Sequence, residues 1–177
     1  MFILLFHLSI VKIFVLAYNI NGMRIEEHIV KTLINKRFTL AVAESCTGGL
    51  LSSRLTDVPG ASRCFLMALV AYSNEAKINL LKIPPSLIKT KGAVSEEVAL
   101  LMAKNIRRLS ASNIGIGITG IAGPTGGSKT KPVGLVYIAL ASKNKDIQEK
   151  FVFGGSRLEI KQKATTQALI LLKRFLE

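Results

Sequence analysis

Residues 43–49, A-E-S-C-T-G-G, constrain this chain more than any other stretch. A short apolar run, residues 39–42, leads into them, and a run of helical character, residues 50–55, leads out. The stretch therefore reads as the end of a strand, a tight turn and the start of a helix. Such a turn aims several backbone N–H groups at one spot, where the helix dipole favours negative charge. Ser45 stands at the lip of that spot. Two jobs suit the arrangement: holding a phosphate, or stabilising the oxyanion made when a serine attacks a carbonyl.

The rest of the chain supplies more strands and helices around this turn. Ile25, Ile29, Leu33 and Ile34 recur at helical spacing and predict a helix over 24–36. Residues 38–43 read as a buried strand and 50–55 as the helix after the turn, ended by Asp57-Val58-Pro59-Gly60. The unbroken apolar run 65–72 reads as a central strand. Residues 73–81 read as a helix stopped by Pro84 and Pro85. Ser95 suits an N-cap, with Glu96 and Glu97 in the first turn and Arg107 and Arg108 at the far end. Strands follow at 114–118, 135–141 and 147–153, the last two joined as a hairpin, and Gly154-Gly155 precede a long helix over 157–176. This order predicts the α/β class, as a three-layer α/β/α sandwich with a mixed sheet of about five or six strands.

A chain of 177 residues, 49% hydrophobic, fits one domain with a real core. Its formal net charge of +13 would suit a nucleic-acid binder. Its lysines are scattered, however, and lack interleaved aromatics, so they read as solvated faces and no nucleic-acid partner is expected. A basic surface still attracts an anionic small substrate. Two cysteines, Cys46 and Cys64, cannot make a zinc site alone, and His7 and His28 lie far from any ligand spacing, so no metal is expected. Reduced thiols in a cytoplasmic protein are the simpler reading.

Residues 1–20 approach the ~20 apolar residues of a membrane span, yet Lys12 and His7 interrupt them. No basic residue precedes the run and no clear cleavage site follows it, so it makes a poor signal peptide. Residues 1–22 are read as an apolar extension, either an artefact of translation from Met1 in place of Met23 or a non-functional segment, and 23–177 as the working domain. Membrane association is expected only if the segment at 1–22 is real, as an anchor.

Polar clusters follow three of the strands: 44–49, 72–77 and 119–134. In an open α/β sheet the crevice beyond the strand C-termini takes the ligand. A serine nucleophile needs a proton acceptor, and no histidine of the core domain is placed to act as one. A lysine with a lowered pKa can do so, with tyrosine as relay, which makes Lys77 and Tyr72 candidates. By composition alone, a solvated lysine and a core tyrosine are the commoner arrangement. The stretch Thr119-Gly120-Ile121-Ala122-Gly123-Pro124-Thr125-Gly126-Gly127 matches neither a P-loop nor a dinucleotide fingerprint. Its glycines allow close backbone approach to a ligand, and Lys129 and Lys131 could meet a phosphate, although a plain surface loop has the same composition.

Together these clusters resemble the C-terminal domain of the CinA (competence/damage-inducible protein) family. The likeness rests on A-E-S-C-T-G-G at 43–49, Y-S-N-E-A-K at 72–77, G-A-V-S-E-E-V at 92–98, G-I-T-G-I-A-G-P-T-G-G at 117–127 and K-P-V-G at 131–134, in that order. It covers about residue 24 to the end, and the molybdopterin-binding-like domain of full-length members has no counterpart here. The resemblance implies a stand-alone nicotinamide-nucleotide amidohydrolase, converting nicotinamide mononucleotide to nicotinate mononucleotide and ammonia, that self-associates and needs no cofactor. It implies Ser45 as nucleophile, Lys77 and Tyr72 assisting, and Thr119 in the substrate pocket. Backbone around Thr47, Gly48 and Gly49 would hold the oxyanion. Glu44 would orient the turn or bind ribose hydroxyls. Gly120, Ala122, Gly123, Gly127 and Lys131 would meet the rest of the substrate. Cys46 is the rival nucleophile, and a non-catalytic nucleotide-binding or regulatory module is the alternative function.

Overall fold

The computed structural model describes residues 22–177, so the readings made of residues 1–21 lie outside the described residues. Five strands form one mixed sheet in the order β2-β1-β3-β4-β5. They are β1 (Leu40–Glu44), β2 (Phe65–Val70), β3 (Ile114–Gly120), β4 (Leu135–Ala141) and β5 (Asp146–Val152). β1 pairs in parallel with both β2 and β3, whereas β3–β4 and β4–β5 are antiparallel. Six α-helices are described, α1 (Ile25–Lys36), α2 (Leu50–Thr56), α3 (Asn74–Asn79), α4 (Pro85–Lys91), α5 (Glu96–Leu109) and α6 (Arg157–Leu176), together with a short 3-10 turn at Ala61–Arg63.

Alternation along each strand sorts the two faces. Leu40 and Val42 of β1, Ile114, Ile116 and Ile118 of β3, and Val136, Ile138 and Leu140 of β4 point into a core shared with α1, α2 and α6. The opposite rows are small: Ala41 and Ala43, Gly115 and Gly117, Ala139 and Ala141. Over them lies α5, with Ala99 and Ala103 against the sheet. The fit leaves no room for side chains on β3. A Cβ added at Gly117 would stand 2.2 Å from the Ala99 carbonyl oxygen, and one at Gly115 would stand 2.1 Å from that of Ala103. Ser95 caps α5 through the Val98 N–H, and Ser156 with Glu159 forms a capping box on α6.

Two expectations change. The apolar run at 65–72 is an edge strand, not a central one: Met67 and Leu69 pack inward, while Leu66 and Val70 are 49% and 45% exposed. An unbroken apolar run has the same composition whether one or both of its flanks are paired. Pro85 also does more than stop a helix: it opens α4. At the first helical position its missing N–H costs nothing and its fixed φ suits the turn.

Candidate active site

The parallel strands β1, β2 and β3 end at one edge of the sheet, and the three polar clusters meet there. They border a cleft of about 280 Å³. Ser45, Tyr72 and Lys77 line it on one side. Thr119, Gly120, Ala122 and Gly123 line it on the other.

Lys77 reaches the cleft from α3. Ser73 caps that helix by accepting the Ala76 N–H at 3.0 Å, which turns the chain so that Lys77 points back under the end of β1. The side chain is only 2% exposed. Its Nζ lies 3.0 Å from Ser45 Oγ, 2.8 Å from the Ala71 carbonyl and 3.1 Å from the Tyr72 carbonyl. Among the described residues no carboxylate forms an ion pair with it. Burial holds its pKa below the ordinary lysine value. As an ammonium the group donates to all three oxygens. As a neutral amine it keeps both carbonyl bonds and offers its lone pair to the Ser45 hydroxyl.

Glu44 is fully buried and faces away from the cleft. One carboxylate oxygen accepts the N–H groups of Gly49 at 3.0 Å and Leu51 at 3.2 Å, and the other accepts the Ser52 N–H at 2.9 Å and hydroxyl at 2.5 Å. It therefore orients the turn and caps α2, and is not placed to bind ribose. This also corrects the expected oxyanion donors. The Gly49 N–H is given to Glu44, and the Gly48 N–H is given to the Ser45 carbonyl at 3.1 Å. Gly48 and Gly49 shape the turn instead, at φ of 63° and 92°, where a side chain would be strained. Thr47 is fully buried, and its hydroxyl has no hydrogen-bond partner among the described residues. None of these four residues lines the cleft.

Burial pushes the Cys46 thiol up to about 12, so it stays protonated beside Ser45. Both cysteines are free and buried. Among the described residues no group of His, Cys, Asp or Glu could hold a metal ion.

Across the cleft, Thr119 is 1% exposed and its hydroxyl donates to the Ala93 carbonyl at 2.8 Å. Two of the expected residues fall outside. Gly127 backs onto residues 132–133, where a Cβ would meet the Val133 nitrogen at 2.8 Å. Lys131 turns away: its Nζ donates to the Lys91 and Val94 carbonyls at 2.5 and 2.7 Å, tying its loop to the connection between α4 and α5. Tyr72 also differs from expectation. Its ring is 59% exposed at the rim, and its hydroxyl accepts from Arg157 Nη2 at 2.6 Å rather than approaching Ser45. Only its carbonyl serves Lys77.

Arg157 is the residue that sequence reasoning missed. It lines the cleft and braces it, with Nη1 donating to the Gly123 carbonyl at 2.8 Å. A faint signal existed: a cation at the first position of a helix stands at the positive end of the dipole, where it is unfavourable without another use.

Comparison with known proteins follows the same residues. The model of the CinA C-terminal domain matches residues 23–176. A competence-damage inducible protein of Caldanaerobacter subterraneus subsp. tengcongensis is 46% identical over 160 residues, covering 90% of this chain and 39% of its own length. One from Moorella thermoacetica is 51% identical over 144 residues, covering 81% of this chain and 35% of its own. The chain thus spans under half the length of these relatives. Among solved structures, the competence/damage inducible protein CihA of Agrobacterium tumefaciens superposes with a TM-score of 0.81 at 34% identity, covering 86% of this chain and 96% of that one. A competence or damage-inducible protein from Enterobacter asburiae gives 0.84 at 31% identity, with the same coverages. With nearly all of residues 22–177 matched in sequence and in fold, the chain belongs to the CinA C-terminal domain family.

Proposed function

We propose that this protein hydrolyses the carboxamide of nicotinamide mononucleotide, giving nicotinate mononucleotide and ammonia. The observation that carries the reading is the buried Lys77 amine 3.0 Å from Ser45 Oγ, with no carboxylate in ion-pair contact among the described residues. A lysine so placed is a general base for a serine.

In the proposed reaction Ser45 Oγ bonds to the carboxamide carbon as its proton passes to Lys77 Nζ. The carbonyl oxygen takes the negative charge, and the N–H of Cys46, which lines the cleft, is the turn's candidate donor for it. One such donor is worth about 3 kcal/mol in the transition state. Lys77 then gives its proton to the departing nitrogen, the C–N bond breaks, and ammonia leaves an acyl-enzyme. Water attacks that ester with Lys77 again as base, releasing the carboxylate and restoring Ser45. The Arg157 guanidinium and the backbone of residues 120–126 would receive the phosphate. The cleft volume suits a mononucleotide rather than a polymer.

The test is ammonia release from nicotinamide mononucleotide without added metal. Ser45→Ala is expected to lower kcat by at least about a thousandfold. Lys77→Ala is expected to lower it by about 10²–10⁴-fold. Tight binding of the nucleotide with no ammonia, or full turnover by Ser45→Ala, would instead make the domain a nucleotide-binding module.

A further inference from the structure

At the opposite end of the sheet lies a second cleft, of about 270 Å³, between the last turns of α5 and the β4–β5 hairpin. Its cationic lining is Lys104, Arg107 and Arg108 from α5 with Lys143 and Lys145 from the hairpin. Asp146 is the one acidic side chain in that lining, and it is already 2.7 Å from Lys104 Nζ. Lys145 is drawn aside, its Nζ 5.0 Å from the centre of the Phe175 ring. Arg107, Arg108 and Lys143 are thus left without a carboxylate at ion-pair distance among the described residues.

Cations in the last turn of a helix complement its dipole, which accounts for Arg107 and Arg108. It does not account for a hairpin that adds two more cations to the same cleft. Nor does it account for Arg107 Nε, a buried donor with no acceptor among the described residues. A buried donor left unpaired is costly, and it belongs to a side chain that lines this cleft.

We propose that this cleft binds a small multiply charged phosphate anion, such as pyrophosphate or the phosphates of a nucleotide. Guanidinium forks suit phosphate oxygens, and Lys143 adds a point charge from the facing wall. The cleft is concave and no aromatic side chain lines it, which favours a compact anion over the stacked bases of single-stranded nucleic acid. It lies about 20 Å from Ser45, the length of the seven-residue strand β3. The two clefts therefore do not share a ligand.

The test titrates the full-length protein with inorganic phosphate, pyrophosphate and adenosine diphosphate at constant ionic strength. Backbone amide shifts are followed by NMR. Saturable shifts are expected at Arg107, Arg108, Lys143 and Asn144, with pyrophosphate about tenfold tighter than phosphate because its charge is higher. Arg107→Gln combined with Lys143→Gln is expected to weaken pyrophosphate about tenfold or more. Lys143→Gln alone sits on an exposed turn and keeps the test valid if the double variant unfolds. Adenosine diphosphate binding as tightly as pyrophosphate means that the phosphates alone are read; tighter binding means that the nucleoside also makes contact. The proposal is overturned if sodium chloride produces the same shifts or if the variants bind pyrophosphate as well as the parent. It is equally overturned if the only saturable shifts fall at residues 119–126 and Arg157, or if a DNA duplex displaces pyrophosphate with steep salt dependence.

Discussion

At the scale of single residues, Lys77 and Glu44 show opposite uses of a buried charge-bearing group. Glu44 is surrounded by four donors, so its carboxylate is satisfied in place. Glu44→Gln sets an amide against N–H groups and is expected to cost about 2–3 kcal/mol of stability, read from urea unfolding. Lys77 is held by carbonyls in a place that disfavours its charge. Because its folded pKa lies below the unfolded value, the unfolded chain binds more protons between the two values. Stability contributed by this group therefore rises with pH across that window. Lys77→Met is expected to abolish that part of the slope. Activity has the same sign: kcat/KM should rise with pH through one ionisation below the ordinary lysine range, and Lys77→Arg should not show it.

At the scale of elements, the contact between α5 and β3 governs the position of the site. β3 carries Thr119, while the connection leading into α5 supplies Ala93 and Val94 to the same cleft. Gly115 and Gly117 let the strand lie directly against the backbone of the helix. Gly117→Ala would drive a methyl into the Ala99 carbonyl and lift the helix, with an expected loss of about 2–3 kcal/mol in urea unfolding. Gly60→Ala is the contrasting case: its φ is 84° with nothing within 4 Å, so only backbone strain of about 1–2 kcal/mol is expected.

At the scale of the whole molecule, a formal charge of +13 repels itself. Raising sodium chloride over the range where screening becomes short should raise the thermal midpoint. The two clefts stand at opposite ends of one sheet, too far apart for direct coupling. The stability changes of Ser45→Ala and Arg107→Gln should add within about 0.5 kcal/mol in the combined variant.

The order of strands and helices was legible because periodicity and capping are local: Ser95, Ser156 and the 3.6-residue rhythm of α1 and α6 each act within a few residues. The cluster of Ser45, Lys77 and Thr119 was legible because parallel strands must deliver their C-terminal ends to one edge. Strand order was not local, so the edge position of β2 escaped the sequence. Side-chain direction was not legible either. Nothing in composition tells that Glu44 folds back onto α2, that Lys131 ties down its own loop, or that Tyr72 reaches Arg157 rather than Ser45. The sequence alone determined which elements form and which edge of the sheet carries the candidate site. Only the tertiary structure decided which polar groups face the cleft, because for Thr119, Lys131 and Tyr72 that depends on partners 26 to 85 residues away along the chain.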